Sequence, residues 1–431
     1  DLYVESLDPS NPDRYRHRGA WRDVEIERQT LRVKGRRDPQ PIELRYTVHG
    51  PILHEDRARR RAYALKWVGG EPGTAGYLAG LALARARSWT EFSGAVERYK
   101  VPSENLVYAD TAGNIGWWAS GMTPIRKNWS GLFPVPGEGD YEWSGFRSPR
   151  ELPHVYNPPR HYIATANHNI LPPGYTAPLG YEWAAPFRFE RVREMLEAGG
   201  KFTVADFERM QQDVVSMPAR RFQNILRKWQ PRAARSRSIV DRLLRWDGAM
   251  TAASVEATIF AVWISRLPVA MFGTELGARV PLPALLAAEI RPQALEDSLD
   301  RTLAMLEQRL GRDVEQWQWG RVHQIHFRHP LGAAELNRGP YARPGDANTV
   351  NAASGAAFRQ TNGASYRHIL DLADWDRSVM TNVPGESGDP ASPHYSDLIS
   401  DWAAGKYHPL PFSRKAVEAA TAERILLRPA P

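Results

Sequence analysis

The stretch from Tyr162 to Leu196, YIATANHNILPPGYTAPLGYEWAAPFRFERVREML, sets the tightest limit on how this chain folds. Pro172, Pro173, Gly174 and Pro178 deny its middle both helix and strand, because proline lacks an amide hydrogen and glycine stabilises neither element. Before them, the apolar and β-prone Tyr162 and Ile163 predict a short strand that stops at Asn167. After them, Phe189, Val192 and Leu196 recur every three or four positions, which predicts a helix from Phe187 with Arg188 in its first turn. A carboxamide and a guanidinium therefore flank one Pro/Gly loop. A carboxamide can donate a hydrogen bond to a developing oxyanion, and a guanidinium can hold such an amide or bind a carboxylate in bidentate fashion. Spacing alone also reads them as a turn former and a solvated helix residue.

With 431 residues, 42% of them hydrophobic, the chain can bury a large core. It has no cysteine, which excludes disulfides, thiolate metal sites and thiol nucleophiles, and leaves serine, threonine or a metal for covalent chemistry. The net charge of +7 comes from arginines interspersed with acids. The densest run, Arg57 to Arg61, falls at an expected hairpin tip without a recognition helix, so no nucleic-acid partner is expected. The apolar stretch near Ala257 to Leu267 is too short and interrupted to span a bilayer, and no membrane partner is expected. Asp1 opens on a strand-like run without a signal peptide, which predicts a piece of something longer.

Val24, Ile26, Leu31 and Val33, then Ile42, Leu44, Tyr46 and Val48, alternate as a β-hairpin with one buried face. His49-Gly50-Pro51-Ile52 closes it, and His49 reads as structural, with a catalytic role the sharper alternative. Ser88 caps a helix to Tyr99, with Glu91 completing a capping box. Leu106 to Asp110 and Ile115 to Ala119 form strands around the turn Thr111-Ala112-Gly113-Asn114. Trp117 and Trp118 point to opposite faces, so one is expected in the core. Gly131 to Pro159 reads as a long ordered loop. Helices are expected over Val204–Asp213, Ala219–Trp229, Ser238–Trp246, Ser254–Leu267 and Pro292–Arg309, the last with a stripe of Leu295, Leu299, Leu303 and Leu306. His323, His326 and His329 look like metal ligands by spacing, but their extended run brings no carboxylate partner. A strand is expected around Phe358. Ser387 and His394 suggest a hydrolase pair, yet no strained strand-to-helix elbow surrounds the serine.

Several segments carry a resemblance: DLYVE at the start, NLVYADTAGNIGWWASGMTPIR, the Asn167-to-Arg188 stretch, TVNAA from Thr349, SYR with the later DWD around Trp375, and SRKAVEAATAERILLRP near the end. Together they resemble the β chain of the penicillin amidase family of N-terminal nucleophile (Ntn) hydrolases. The resemblance implies an α+β, four-layer αββα fold, incomplete at its N-terminus, as one domain over residues 1–431 with a helical excursion over about residues 200–310. It implies hydrolysis of a small-molecule N-acyl amide, as in penicillin acylases or acyl-homoserine-lactone acylases. Asn167 would complete the oxyanion hole and Arg188 would support it. The nucleophilic N-terminal serine, which uses its own α-amino group as base, is then expected upstream of Asp1, and the stretch alone is expected to be inactive. The family further implies a small α chain from the same precursor as partner and a periplasmic or secreted location. It also implies a Ca²⁺ ion with Asp1 as a ligand; the family's carboxylate between the Asn and the Arg has no counterpart near Ala177, where Glu182 is the nearest substitute. The rivals are a non-catalytic binding scaffold and a carbohydrate-active enzyme, for which no separable pair of carboxylates stands out.

Overall fold

Tyr3 and Glu5 alternate inward along β1 (Leu2–Ser6), and this strand anchors the first half of the chain in the computed structural model, which describes residues 1–73 and 77–429. Two units are distinguished, residues 1–165 with 170–183, and residues 166–169 with 184–431.

In the first unit a small hairpin, β2 (Arg14–His17) and β3 (Ala20–Asp23), is followed by β4 (Glu25–Leu31), β5 (Gln40–Thr47), β6 (Gly50–Asp56) and β7 (Arg61–Leu65). α1 (Tyr77–Leu83) and α2 (Trp89–Val96) come next, then β8 (Glu104–Ala109), β9 (Ile115–Ser120), β10 (Pro124–Arg126), β11 (Val135–Pro136), β12 (Trp143–Phe146) and β13 (His154–Tyr156). The main sheet runs β11-β1-β7-β6-β5-β4, antiparallel except for the parallel β1/β11 pair. The hairpin of β4 and β5 forms as its alternation requires, but only part of the expected face is buried: Val24 and Ile26 join a core cluster, while Leu31 and Val33 stay 47% and 41% exposed. β4 is the outermost strand, and alternation specifies a pleat without specifying what packs on it.

A second sheet, β13-β9-β8, receives α2, and Phe92, Val96, Tyr108 and Trp118 form the core between them. Trp118 is the buried member of the tryptophan pair, while Trp117 donates its indole N–H to Asn105 at 2.9 Å. In the turn after β8 the Asp110 carboxylate accepts from the backbone N–H groups of Ala112 and Asn114 and from the Tyr108 hydroxyl. Ser88 caps α2 as expected, accepting from the Glu91 N–H at 3.2 Å, but the capping box is not closed. The Glu91 carboxylate reaches one residue further, to the Arg87 N–H at 2.7 Å. The expected loop over Gly131–Pro159 contains β11, β12 and β13; strands of two to four residues made by distant pairing leave no periodicity to read.

The second unit is mostly helical at first: α3 (Phe187–Glu197), α4 (Val204–Gln211), α5 (Met217–Leu226), α6 (Ala234–Arg245), α7 (Val255–Phe272), α8 (Thr274–Gly277), α9 (Leu282–Ala287), α10 (Pro292–Leu310) and α11 (Trp319–Val322). The leucine stripe of α10 is buried as its spacing predicts, and it packs with Trp263, Leu267 and Phe222 into one large core. α7 is 18 residues long, extending past the expected Leu267 through Pro268 to Phe272. By length and composition it is apolar enough to cross a membrane, contrary to the sequence reading, and half of it is buried in this unit. Its indole at Trp263 is fully buried and donates to Ser298 at 2.8 Å.

Short β elements follow: β14 (Gln324–Phe327) with β15 (Arg338–Ala342), β16 (Ala353–Ser354) with β17 (Asn362–Gly363), and β18 (Arg367–Ile369) with β19 (Val379–Thr381). α12 (Ile399–Ala403) then precedes β20 (His408–Pro409), which completes the β18-β19-β20 sheet, and α13 (Arg414–Ala420) starts from a Ser413 cap. The strand expected around Phe358 is a 3₁₀ turn, with Ala357 and Phe358 at φ of +50° and +64°. The strand expected to end at Asn167 is also absent, since residues 162–166 join no sheet. β-prone side chains make a strand only where a neighbour completes the ladder.

Candidate active site

The Pro/Gly loop is pinned at its ends. Asn167 adopts a φ of +61°, the left-handed region that Asn tolerates better than most non-glycine residues. Its carbonyl accepts the Ala184 N–H at 2.8 Å. Three residues on, Phe187 opens α3 with its ring fully buried, and Arg188 is the next residue. The Arg188 guanidinium Nη2 donates to Asn167 Oδ1 at 2.9 Å. The two residues that the sequence places on either side of a loop are thus in direct contact.

α3 is tied to its neighbours by ion pairs. Arg191 grips Asp213 through Nε and Nη2 at 3.0 and 2.7 Å, Arg221 pairs with Glu190 at 2.7 Å, and Arg220 pairs with Glu194 at 2.9 Å. The Arg221 guanidinium also lies over the Phe187 ring at 5.0 Å. Beside Asn167, the His168 ring stacks on Phe189 at 3.7 Å.

Electrostatically, Arg188 is unlike these neighbours. It is half-buried, burial alone moves its pKa below the ordinary guanidinium value, and no nearby carboxylate offsets that. A guanidinium only donates, so the amide atom facing it is the oxygen, and Nδ2 is directed the other way. A cation bonded to Oδ1 polarises the amide and makes the Nδ2–H a stronger donor. The pair is therefore a charge-backed hydrogen-bond donor, and in this chain the Asn167 side chain is exposed.

The other candidates separate. Asp1, expected to bind calcium, is 3% exposed, and Arg126 holds both of its oxygens at 2.9 Å while the Trp143 indole donates to one of them. Neither Asp1 nor the exposed Glu182 belongs to the cluster of three potential metal ligands found among the described residues. In this arrangement the Asp1 carboxylate is engaged by Arg126 and the Trp143 indole. His323 is buried and donates Nδ1–H to the Arg343 carbonyl at 2.9 Å, and burial lowers its pKa; it forms no ligand cluster with His326 and His329. Ser387 Oγ accepts the Asp389 N–H, while His394 bonds Asp397 at 2.8 Å, so each side chain has its own partner.

Two groupings escape a reading of the sequence. In the second unit Asn351, from the TVNAA segment, donates to Gln212 at 2.9 Å and accepts from Arg367 at 2.6 Å in a buried network. In the first unit His49 and His17 converge on Glu142. Its one legible signal is Glu5, a carboxylate at an inward position of the alternating β1.

Compared with solved structures, the chain aligns with the thermostable penicillin G acylase from Alcaligenes faecalis at a TM-score of 0.75 and 22% identity, over 100% of this chain and 86% of that one. The fold is thus the α+β fold of the N-terminal nucleophile hydrolases. The chain belongs to the penicillin amidase family, whose pattern it matches over residues 1–419. It is 28% identical over 509 residues to an acyl-homoserine lactone acylase, QuiP, of Pseudomonas aeruginosa, covering 100% of this chain and 60% of that protein. It is also 28% identical over 466 residues to the penicillin acylase 2 proenzyme of Pseudomonas sp. strain SE83, covering 99% and 59%. The chain therefore spans about three fifths of the length of these relatives.

Proposed function

We propose that this chain is the larger part of an N-acyl amide hydrolase in which Asn167 donates to the oxyanion and Arg188 fixes the orientation of that amide. The observation that carries the reading is the 2.9 Å bond from Arg188 to Asn167 Oδ1, which occupies the amide oxygen and leaves Nδ2–H available as a donor. Family membership and the acylase names of its relatives support the reaction class.

In this reading an N-terminal serine from a part of the protein outside these 431 residues attacks the acyl carbonyl. Its α-amino group, with a typical pKa of about 7.7 to 8.0, takes the hydroxyl proton and passes it to the leaving nitrogen. The C–N bond breaks, the amine departs and an ester remains. Water then adds to the ester, the C–O bond breaks, and the carboxylic acid leaves with serine restored. Asn167 acts in both additions, when negative charge gathers on the carbonyl oxygen. A small chain cut from the same precursor and a periplasmic or secreted location belong to the same proposal.

The test is Asn167→Ala in the full-length precursor. Maturation checked by mass spectrometry separates processing from turnover, and kcat on the mature protein should fall by about a hundredfold or more. A fully matured variant with a near-native rate refutes the role. Acyl-homoserine lactones and phenylacetylated amides, assayed side by side, decide between the activities for which the two groups of relatives are named.

A further inference from the structure

The first unit carries a second cluster, remote in sequence from Asn167. His17 ends β2, His49 precedes β6, and Glu142 precedes β12. His17 Nε2 lies 3.0 Å and His49 Nε2 lies 3.1 Å from the same oxygen, Oε1 of Glu142. The other nitrogen of His49, Nδ1, lies 2.8 Å from Glu5 Oε1, which also accepts from the Thr47 hydroxyl at 2.7 Å. His17, His49 and Glu5 are all at most 3% exposed. The Tyr3 ring covers His49 in a parallel stack at 3.8 Å.

The bonding pattern poses a charge problem. Glu5 is an acceptor when ionised, so the proton of a neutral His49 sits on Nδ1, and Nε2 then presents a lone pair. That lone pair faces a carboxylate oxygen at 3.1 Å, and two lone pairs at that distance repel unless a positive charge lies between them. His17 adds to the problem: its Nδ1 is buried without a hydrogen-bond partner, as is the second oxygen of Glu5. Three of these four side chains are buried, and none of the four is a fixed cation.

We propose that His17 Nε2, His49 Nε2 and Glu142 form a binding site for one divalent cation of the zinc class, with Glu5 orienting His49 from behind. The donor set suits such an ion, since borderline cations take imidazole nitrogen and carboxylate oxygen. The spacing suits it as well. Ligand atoms around a tetrahedral Zn²⁺ with bonds of about 2.0 to 2.1 Å are about 3.3 Å apart, so the 3.0 and 3.1 Å separations need to widen by only a few tenths of an ångström. The carboxylate–histidine–metal relay through Glu5 is the outer arrangement that fixes the tautomer of a metal-binding histidine. The Glu142 side chain keeps 23% of its surface exposed, which provides an entry path and an open coordination position for solvent. Such an ion ties β1, β2, the turn before β6 and the segment before β12 together.

The test uses the full chain without an affinity tag, dialysed against EDTA and titrated with ZnCl₂ and separately with CoCl₂. One equivalent of either metal should bind by calorimetry and elemental analysis, Co²⁺ should give visible d–d absorption, and Tm should rise. Glu142→Gln keeps the shape of the site and should abolish binding. Glu5→Gln should weaken binding by roughly 10- to 100-fold. His17→Ala should abolish it if the variant folds, with Glu142→Gln deciding the matter if it does not. A folded, metal-free protein that takes up neither ion, or a Glu142→Gln variant that binds as tightly as the parent, overturns the proposal.

Discussion

Replacing Arg188 by Met tests whether the guanidinium works through Asn167. Arg188 gives Asn167 Oδ1 one charge-assisted bond of 2.9 Å, and hydrogen bonds to charged groups contribute about 1.5–3 kcal/mol. If that contribution is realised as the amide meets the oxyanion, kcat of the mature full-length enzyme should fall by about 10- to 150-fold at 1.4 kcal/mol per tenfold. It should not fall beyond the roughly 100- to 1000-fold that removal of an oxyanion donor itself costs. Stability should hardly move. Burial already disfavours this charge without a carboxylate to offset it, so Met should change the unfolding free energy by no more than about 1 kcal/mol. The decisive measurement is the double-mutant cycle with Asn167→Ala. A residue acting through Asn167 has nothing left to position once the amide is gone, so the double variant should be no slower than Asn167→Ala alone. If the two losses multiply instead, Arg188 acts on the substrate or the nucleophile directly and the positioning argument fails.

Three further outcomes follow from the second unit. Trp263→Ala removes a fully buried indole and its bond to the Ser298 hydroxyl, which keeps its own bond to the Leu295 carbonyl, and should cost about 3–5 kcal/mol in urea unfolding. Gly345→Ala should destabilise by more than about 1 kcal/mol, because Gly345 has a φ of +77° and a Cβ there would meet the Asn351 carbonyl. Gly311→Ala, at φ +92° with open space around it, should cost less. Asp346 has its carboxyl pushed up to about 6 by burial, against backbone N–H bonds from Asn348 and Thr349 that favour the anion. A folded-state pKa above the unfolded value means that its stabilising contribution is complete below about 4 and is lost as pH rises through about 6. Asp346→Asn should therefore flatten that part of the stability profile relative to the parent, and a parallel pH dependence in both proteins would contradict the assignment.

Helix-period signals were legible because one face of a helix is specified within a few turns. The stripe Leu295, Leu299, Leu303 and Leu306 is buried as read, and α3 starts at Phe187 as its spacing and the preceding proline require. Capping was legible to within one residue, as Glu91 shows by bonding Arg87 rather than Ser88. What could not be read is what depends on distant partners. β11 and β13 are too short to carry a pattern, and the run before Asn167 looks like a strand but finds no ladder. Of the site, the residue types at 167 and 188 were legible and so was the loop between them; their contact was implied by the resemblance but not by the spacing. The convergence of His17 and His49 on Glu142 is more distant still, with 125 and 93 residues separating the partners, and only the inward-facing Glu5 hints at it.

The single backbone bond from Ala184 to Asn167 has a consequence for how such a chain diversifies. With both feet of the loop fastened there and the following helix tied by its arginine–carboxylate pairs, the amide and its guanidinium are set by residues 166–169 and the segment from Ala184 onward. Substitutions that keep those fastenings should therefore leave the pair intact, and one that breaks the Ala184 bond should disturb it first.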